Sequence, residues 1–240
     1  MKMKNSFLNI ALIVVALFSG CKKDEAEKPK VTYETTSKVK PEVVADTNQI
    51  EVADLPINME GTNFLIHPIG VMTAKGKGIK SSSDSEESFT VSNYGEYQIT
   101  GYLKNLKFQE IGKDSLHNLT KKQILIETAT YLKTFAEKTK QQLLVYSLAD
   151  MDTNKDGKLD SSDIKSLYIS TISGQKFTKL SADFQELIDW KIIDSKSILY
   201  FRTIEDTNKN GEFDAEDKLQ YHFVNLGDKD WKVGVYNPVD

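Results

Sequence analysis

A chain of 240 residues, 39% of them hydrophobic, holds enough apolar material for one full-core domain or two small ones. A single cysteine excludes an internal disulfide, and three histidines far apart in sequence (His67, His117, His222) make a poor zinc site. The net charge of −4 comes from 35 acidic and 31 basic residues with one arginine, Arg202, so no basic stripe is offered to nucleic acid.

Residues 1–20 read as a signal rather than as fold. A basic start, MKMKN, precedes the apolar run FLNIALIVVALF, which is too short for a stable membrane span. Ser19 and Gly20 stand directly before Cys21, with Phe18 three positions before the cysteine. Small side chains beside a cut and a thiol to carry lipid resemble the lipobox of bacterial lipoproteins, although leucine is usual where Phe18 stands. The resemblance implies cleavage after Gly20, lipid on Cys21 and anchoring to a membrane. Lys23-Asp24-Glu25 resembles the surface-export signal of Bacteroidetes lipoproteins, which implies the outer membrane and its cell-surface face. The mature chain keeps 29 basic and 35 acidic residues. Residues 21–50 are charged and poor in large apolar side chains, the composition of a flexible tether.

Residues 51–240 read as a globular β-repeat domain. FLIHPIGVMTA, FTVSNYGEYQITGYL and NLKFQEI are rich in β-branched and aromatic residues and predict strands. Residues 76–88, GKGIKSSSDSEES, are too hydrophilic to bury and predict a long loop. The second half contains an ungapped repeat, in which Tyr146 meets Tyr200, Asp152 meets Asp206, Asp163 meets Asp217 and Phe177 meets Trp231. NLKFQEIGKDSLHNLT resembles SLYISTISGQKFTKLS, a weaker third copy without a loop of this kind. Such units cannot bury their own faces and must stack on one another.

Each strong copy carries a loop with calcium-ligand spacing. In DTNKDGKLDSSD, Asp152, Asn154 and Asp156 supply side-chain oxygens, Lys158 its carbonyl, and Asp160 a direct or water-mediated oxygen. Gly157 permits the sharp turn, Leu159 is the apolar pin, and Asp163 closes the sphere where an EF-hand has glutamate. In DTNKNGEFDAED the set is Asp206, Asn208, Asn210, the carbonyl of Glu212, Asp214 and Asp217. Asn210 replaces an acid, which predicts a weaker site.

The flanks decide between helices and strands. Leu125, Ala129, Leu132, Ala136, Leu143 and Tyr146 recur at roughly helical spacing, which favours an α+β fold with an EF-hand-like pair. Around the second loop, however, SILYFRTIED and KLQYHFVNL alternate like strands. The ungapped repeat carries that reading to the first loop, with ILIETATYLKTF and QLLVYSLADMD as strands joined by the turn AEKTKQ. The expectation is therefore a mainly β chain of repeated antiparallel meanders with calcium loops between strands. Residues 100–240 resemble Bacteroidetes lipoproteins with TolB-like propeller blades and EF-hand-like loops; three units imply an incomplete, open propeller.

No nucleophile elbow, histidine-rich metal motif or phosphate loop is present in the sequence, and the conspicuous acids lie in the calcium loops. The expected function is a non-enzymatic, calcium-stabilised surface lipoprotein with a protein or glycan partner. The alternatives are an EF-hand sensor, or a hydrolase of surface polymers with two acids outside the loops. Trp190 and Trp231 are expected in core or rim packing, and His222 at the surface or hydrogen-bonded.

Overall fold

A computed structural model describes residues 28–33, 49–75, 78–80 and 90–239. The signal segment and Cys21 lie outside the described residues. The chain is mainly β, and its described residues form three antiparallel sheets. Strands β1 (Gln49–Ala53), β2 (Ile57–Asn58), β3 (Phe64–Lys75) and β4 (Gly78–Lys80) open the first sheet, with β3 at its centre. The hairpin β5 (Ser92–Gly95) and β6 (Gln98–Leu103) joins the second sheet, and β7 (Asn105–Glu110) with β8 (Leu116–Asn118) returns to the first. The second sheet is completed by β9 (Leu125–Tyr131), β10 (Leu143–Ala149), β11 (Ser166–Thr171) and β12 (Thr178–Lys179), in the order β12-β11-β10-β9-β6-β5. The third is a four-stranded meander of β13 (Gln185–Ile193), β14 (Ile198–Glu205), β15 (Lys218–Asn225) and β16 (Val233–Val235).

Alternation along β10 explains the stacking. Leu144, Tyr146 and Leu148 point into a core shared with Ile66, Leu106 and Phe108 of the first sheet. Leu143 and Val145 point the other way, into a core shared with Leu199, Phe201 and Val224 of the third. The second sheet is thus apolar on both faces, as period-2 alternation of large residues dictates when each face has a partner. Trp190 and Trp231 pack half-buried against the second core, as expected.

Strands flank both loops, so the helix-loop-helix alternative is not what forms. The weak third copy holds in detail. Lys107 pairs with Asn118 and Phe108 with His117, just as their equivalents Tyr168 and Ile169 pair with Lys179 and Thr178. The strong copies differ in a way the alignment conceals. Tyr146 pairs with Tyr168, but Tyr200 pairs with Phe223, one residue past the position equivalent to Tyr168. A one-residue slip exchanges the faces of a strand. Tyr221 and Phe223 therefore face out, opposite Val224 in the core, whereas their equivalents Leu167 and Ile169 face in.

Several expectations need correction. The stretch read as a strand end and the turn AEKTKQ contains the short helix α1 (Lys133–Thr139), closed by Lys140 in a left-handed conformation. Phe135 and Ala136 are buried from it, and Lys133 reaches Glu137 at 3.4 Å; burying a large aromatic side chain here offsets the short helix's poor intrinsic stability. Within the predicted loop 76–88, residues 78–80 pair with β3, while 76–77 and 81–88 lie outside the described residues. Residues 28–33 of the expected tether are docked on the calcium-type loops. His222 is hydrogen-bonded but not at the surface. It is buried against Phe201 at 4.7 Å between ring centroids, with Nε2 3.1 Å from Thr203 Oγ1 and Nδ1 unpartnered. Burial holds its pKa below the ordinary value.

Candidate metal centre

Loop 152–163 joins β10 to β11, and loop 206–217 joins β14 to β15. Both turn in the same way because the same residues meet the same backbone demands. The fourth and sixth positions are left-handed in each: Lys155 (φ 61°) and Gly157 (φ 86°), Lys209 (φ 58°) and Gly211 (φ 86°). Glycine adopts that conformation without steric cost.

The side chains fold inward in parallel. In the first loop Gly157 N donates to Asp152 Oδ2 (2.9 Å), Asp156 N to Asn154 Oδ1 (2.9 Å) and Lys158 N to Asp156 Oδ1 (2.8 Å). Ser162 N donates to Asp160 Oδ1 (2.9 Å), Thr153 N to Asp163 Oδ1 (2.7 Å) and Asp160 N to Asp163 Oδ2 (3.0 Å). The second loop repeats every one of these bonds at the equivalent positions. Gly211 N donates to Asp206 Oδ2, Asn210 N to Asn208 Oδ1 and Glu212 N to Asn210 Oδ1, at 2.8–2.9 Å. Glu216 N donates to Asp214 Oδ1, Thr207 N to Asp217 Oδ1 and Asp214 N to Asp217 Oδ2, also at 2.8–2.9 Å. All the predicted ligand residues of each loop are thus gathered on one short turn. Leu159 and Phe213 are only half-buried, so the apolar pin is weak in both.

Among the described residues no three side chains of His, Cys, Asp or Glu converge into a preformed cage. Calcium coordination in such a loop also draws on amide and backbone carbonyl oxygens, and a carboxylate bonded to one N–H keeps further lone pairs. One atom tests the fit. Asp152 Oδ1 is buried without a hydrogen-bond partner, a costly state for a carboxylate oxygen and one that a cation would relieve. Its equivalent, Asp206 Oδ1, accepts from Asn210 N at 3.2 Å. Asp163 is buried nearby, and burial and the charge of Asp152 push its pKa up against three backbone donors. The first loop therefore has the larger unmet demand for positive charge.

Sequence reasoning missed two groups beside this loop. Asp150 Oδ1 accepts from Ser166 Oγ (2.9 Å), and Oδ2 accepts from Tyr168 OH (2.7 Å) and Lys179 Nζ (2.8 Å), tying β10, β11 and β12 together. Glu186 on β13 accepts from Lys165 N at 2.5 Å, and Lys165 Nζ lies 3.8 Å from Glu186 and 3.6 Å from Glu127. The period-2 pattern of β13 shows a lone acid among apolar residues at Glu186, a signal that could have marked it.

Burial, and to a lesser degree the charge of Glu127, raise the pKa of Glu186 from 4.5 to about 7, against the pull of Lys165. Between these values the folded state holds a proton that the unfolded chain has lost. The stability this group contributes is full below the unfolded value and is lost as pH rises through the folded one, on the order of 3 kcal/mol. Glu186→Gln stays neutral, so its melting temperature is expected to fall less between pH 5 and pH 8 than that of the parent chain, as thermal melts across that range will show.

The cavity beside Glu127, lined also by Tyr102, Asp160, Asp163 and Lys165, holds about 40 Å³, room for about one water and far below the ~300 Å³ of a small ligand pocket. The larger cleft, about 420 Å³, is open and lies between Lys176 and Thr178 on one side and Lys229 to Lys232 on the other, with Trp231 in it. It contains one carboxylate, Asp230. Comparison with protein-family models, curated proteins and solved structures finds no significant match to this chain.

Proposed function

We propose that the chain is a membrane-anchored calcium-binding lipoprotein, exposed at the cell surface, that acts as a non-enzymatic binding module. The observation that carries the calcium reading is the set of six hydrogen bonds that the two repeated loops share, with Asp152 Oδ1 orphaned in the first. Asp152, Asn154, Asp156, Asp160, Asp163 and the carbonyl of Lys158 would hold the first ion. Asp206, Asn208, Asn210, Asp214, Asp217 and the carbonyl of Glu212 would hold the second. Calcium supplies charge neutralisation there and no chemistry. Because each loop closes a hairpin, ion binding adds to folding stability. The anchor rests on Cys21 and the residues before it.

Two surfaces suit a partner. On the outer face of the third sheet, Tyr236 stands 5.4 to 6.3 Å from the rings of Tyr200, Tyr221 and Phe223. In the open cleft, Lys176, Lys229 and Lys232 surround Trp231, which favours an anionic glycan or an acidic protein segment. The repeated meanders read as an open stack of blade-like units, with the aromatic face as its exposed end.

The test is a thermal melt with calcium, with magnesium at the same concentration, and with chelator. Calcium at roughly 100 times its dissociation constant stabilises one site by about 2.7 kcal/mol, a shift of roughly 5–10 °C for a domain of this size. Magnesium, which demands stricter octahedral geometry, is expected to do much less. Equal melting in all three buffers refutes the reading.

A further inference from the structure

Residues 28–33 lie across both loops. Lys30 N donates to Ser162 O (3.1 Å) and Thr32 N to Thr153 O (2.8 Å) in the first loop, and Val31 N, between them, donates to Gly211 O (3.0 Å) in the second. Side chains reinforce the crossing. Thr32 Oγ1 donates to Asn154 O (2.9 Å), Thr153 Oγ1 donates back to Lys30 O (2.9 Å), and Lys30 Nζ lies 3.4 Å from Glu212. Val31 is buried at 3% exposure. Gly211 is needed here twice over, since a Cβ on it would sit 2.5 Å from Val31 O. Tyr33 lies beside the carboxylate of Asp206.

The partners lie within the two loops, among or directly beside the candidate ion ligands. Thr153, Asn154 and Ser162 are the second, third and eleventh residues of the first loop. Asp206, Gly211 and Glu212 are the first, sixth and seventh of the second. A single extended segment joins two acidic loops that repel each other, and its backbone donors need the carbonyls of both in register.

We propose that residues 28–33 form a calcium-dependent strap that couples the two ion sites. This rests on the calcium reading of the loops. Ion binding sets the loop carbonyls that receive the strap, and a docked strap holds the ligands in place; by linkage each favours the other by the same factor. Occupying either loop readies the other, because both bind one strap. On the lipid-anchor reading, docking also shortens the leash. Only the stretch 22–27 then separates Cys21 from the folded part, where an undocked segment leaves the whole of 22–48. At about 3.5 Å per residue the fully stretched reach changes from about 100 Å to about 25 Å.

The experiment uses the chain from residue 21 with Cys21→Ser, and compares it with Val31→Asp and Thr32→Pro in the same chain. Val31→Asp puts a charge into a buried apolar position. Thr32→Pro removes the N–H and hydroxyl given to Thr153 and Asn154. Neither replaces an ion ligand, and Thr32 meets Asn154 only at its backbone oxygen, which is not in the ligand set. Calcium affinity is measured by calorimetry, and trypsin cleavage of the Lys30–Val31 bond is followed by mass spectrometry with calcium and with chelator. In the parent chain calcium is expected to slow cleavage at least tenfold. In both variants cleavage is fast in either buffer, and calcium affinity falls about tenfold at both sites while the number of ions is unchanged. Calcium binding with no effect on cleavage, or equal affinity in parent and variants, overturns the strap and leaves the calcium reading intact. Absence of calcium binding in the parent chain overturns both.

Discussion

Asp152→Ala combined with Asp206→Ala is expected to abolish the calcium-dependent rise in melting temperature. The effect should divide unequally. Asp152 contributes the orphaned buried oxygen, and its loop carries aspartate at the fifth position where the second loop has Asn210. Asp152→Ala alone is therefore expected to remove the tighter phase, and Asp206→Ala the weaker one. Each fully occupied site is worth about 2.7 kcal/mol at a hundredfold excess over its dissociation constant. Without calcium, Asp152→Ala is expected to be close to neutral or slightly stabilising, because it deletes a buried unpaired oxygen along with the bond to Gly157. A differential scanning experiment on the three variants, with calcium and with chelator, reads all of this.

Asp150→Ala is expected to cost about 3 kcal/mol whether calcium is present or absent, the range for losing charge-assisted hydrogen bonds and leaving a buried donor unsatisfied. The carboxylate is mostly buried and serves Ser166, Tyr168 and Lys179 at once. Removing it leaves the buried Tyr168 hydroxyl without its partner and leaves Lys179 with only the exposed Asp183, at 2.6 Å. At roughly 2–4 °C per kcal/mol the melting temperature should drop by about 10 °C. The pH dependence follows from the same contacts. Burial alone would raise the pKa of Asp150, but Lys179 and Tyr168 outweigh it and hold the pKa below the usual range. Its stabilisation is present above the ordinary aspartate pKa near 4 and is lost as pH falls through the lower folded value. A chemical denaturation series from pH 7 to pH 3 should therefore show the variant and the parent converging at the acid end.

How far the sequence carried depends on the level. Strand–loop–strand was legible because Ile198, Tyr200, Arg202 and Ile204 alternate with Leu199, Phe201 and Thr203 on the way into the second loop, with β-branched and aromatic residues dominating, and an ungapped repeat transferred that pattern to the first. The gathering of the candidate ligand residues was legible because each set lies within one short run of sequence, so local chemistry largely determines where they stand. The one-residue slip between β14 and β15 was not. It depends on where pairing begins after the loop, and nothing in an alignment without gaps marks it. Helix α1 was hidden because Tyr131, Leu132 and Phe135 read as strand; burial of Phe135 in the second core overrides that local preference. The strap was the least legible part. Val31 and Tyr33 are two apolar residues among charged ones, the composition of a tether, and their seat exists only once two distant loops have come together.

The central claim is that both loops bind calcium. Isothermal titration of calcium into the chain from residue 21 with Cys21→Ser tests it most directly. The account predicts two ions per chain with unequal affinities, and loss of one ion in each of Asp152→Ala and Asp206→Ala. No heat attributable to binding, or the same two ions bound by the double variant, would contradict it.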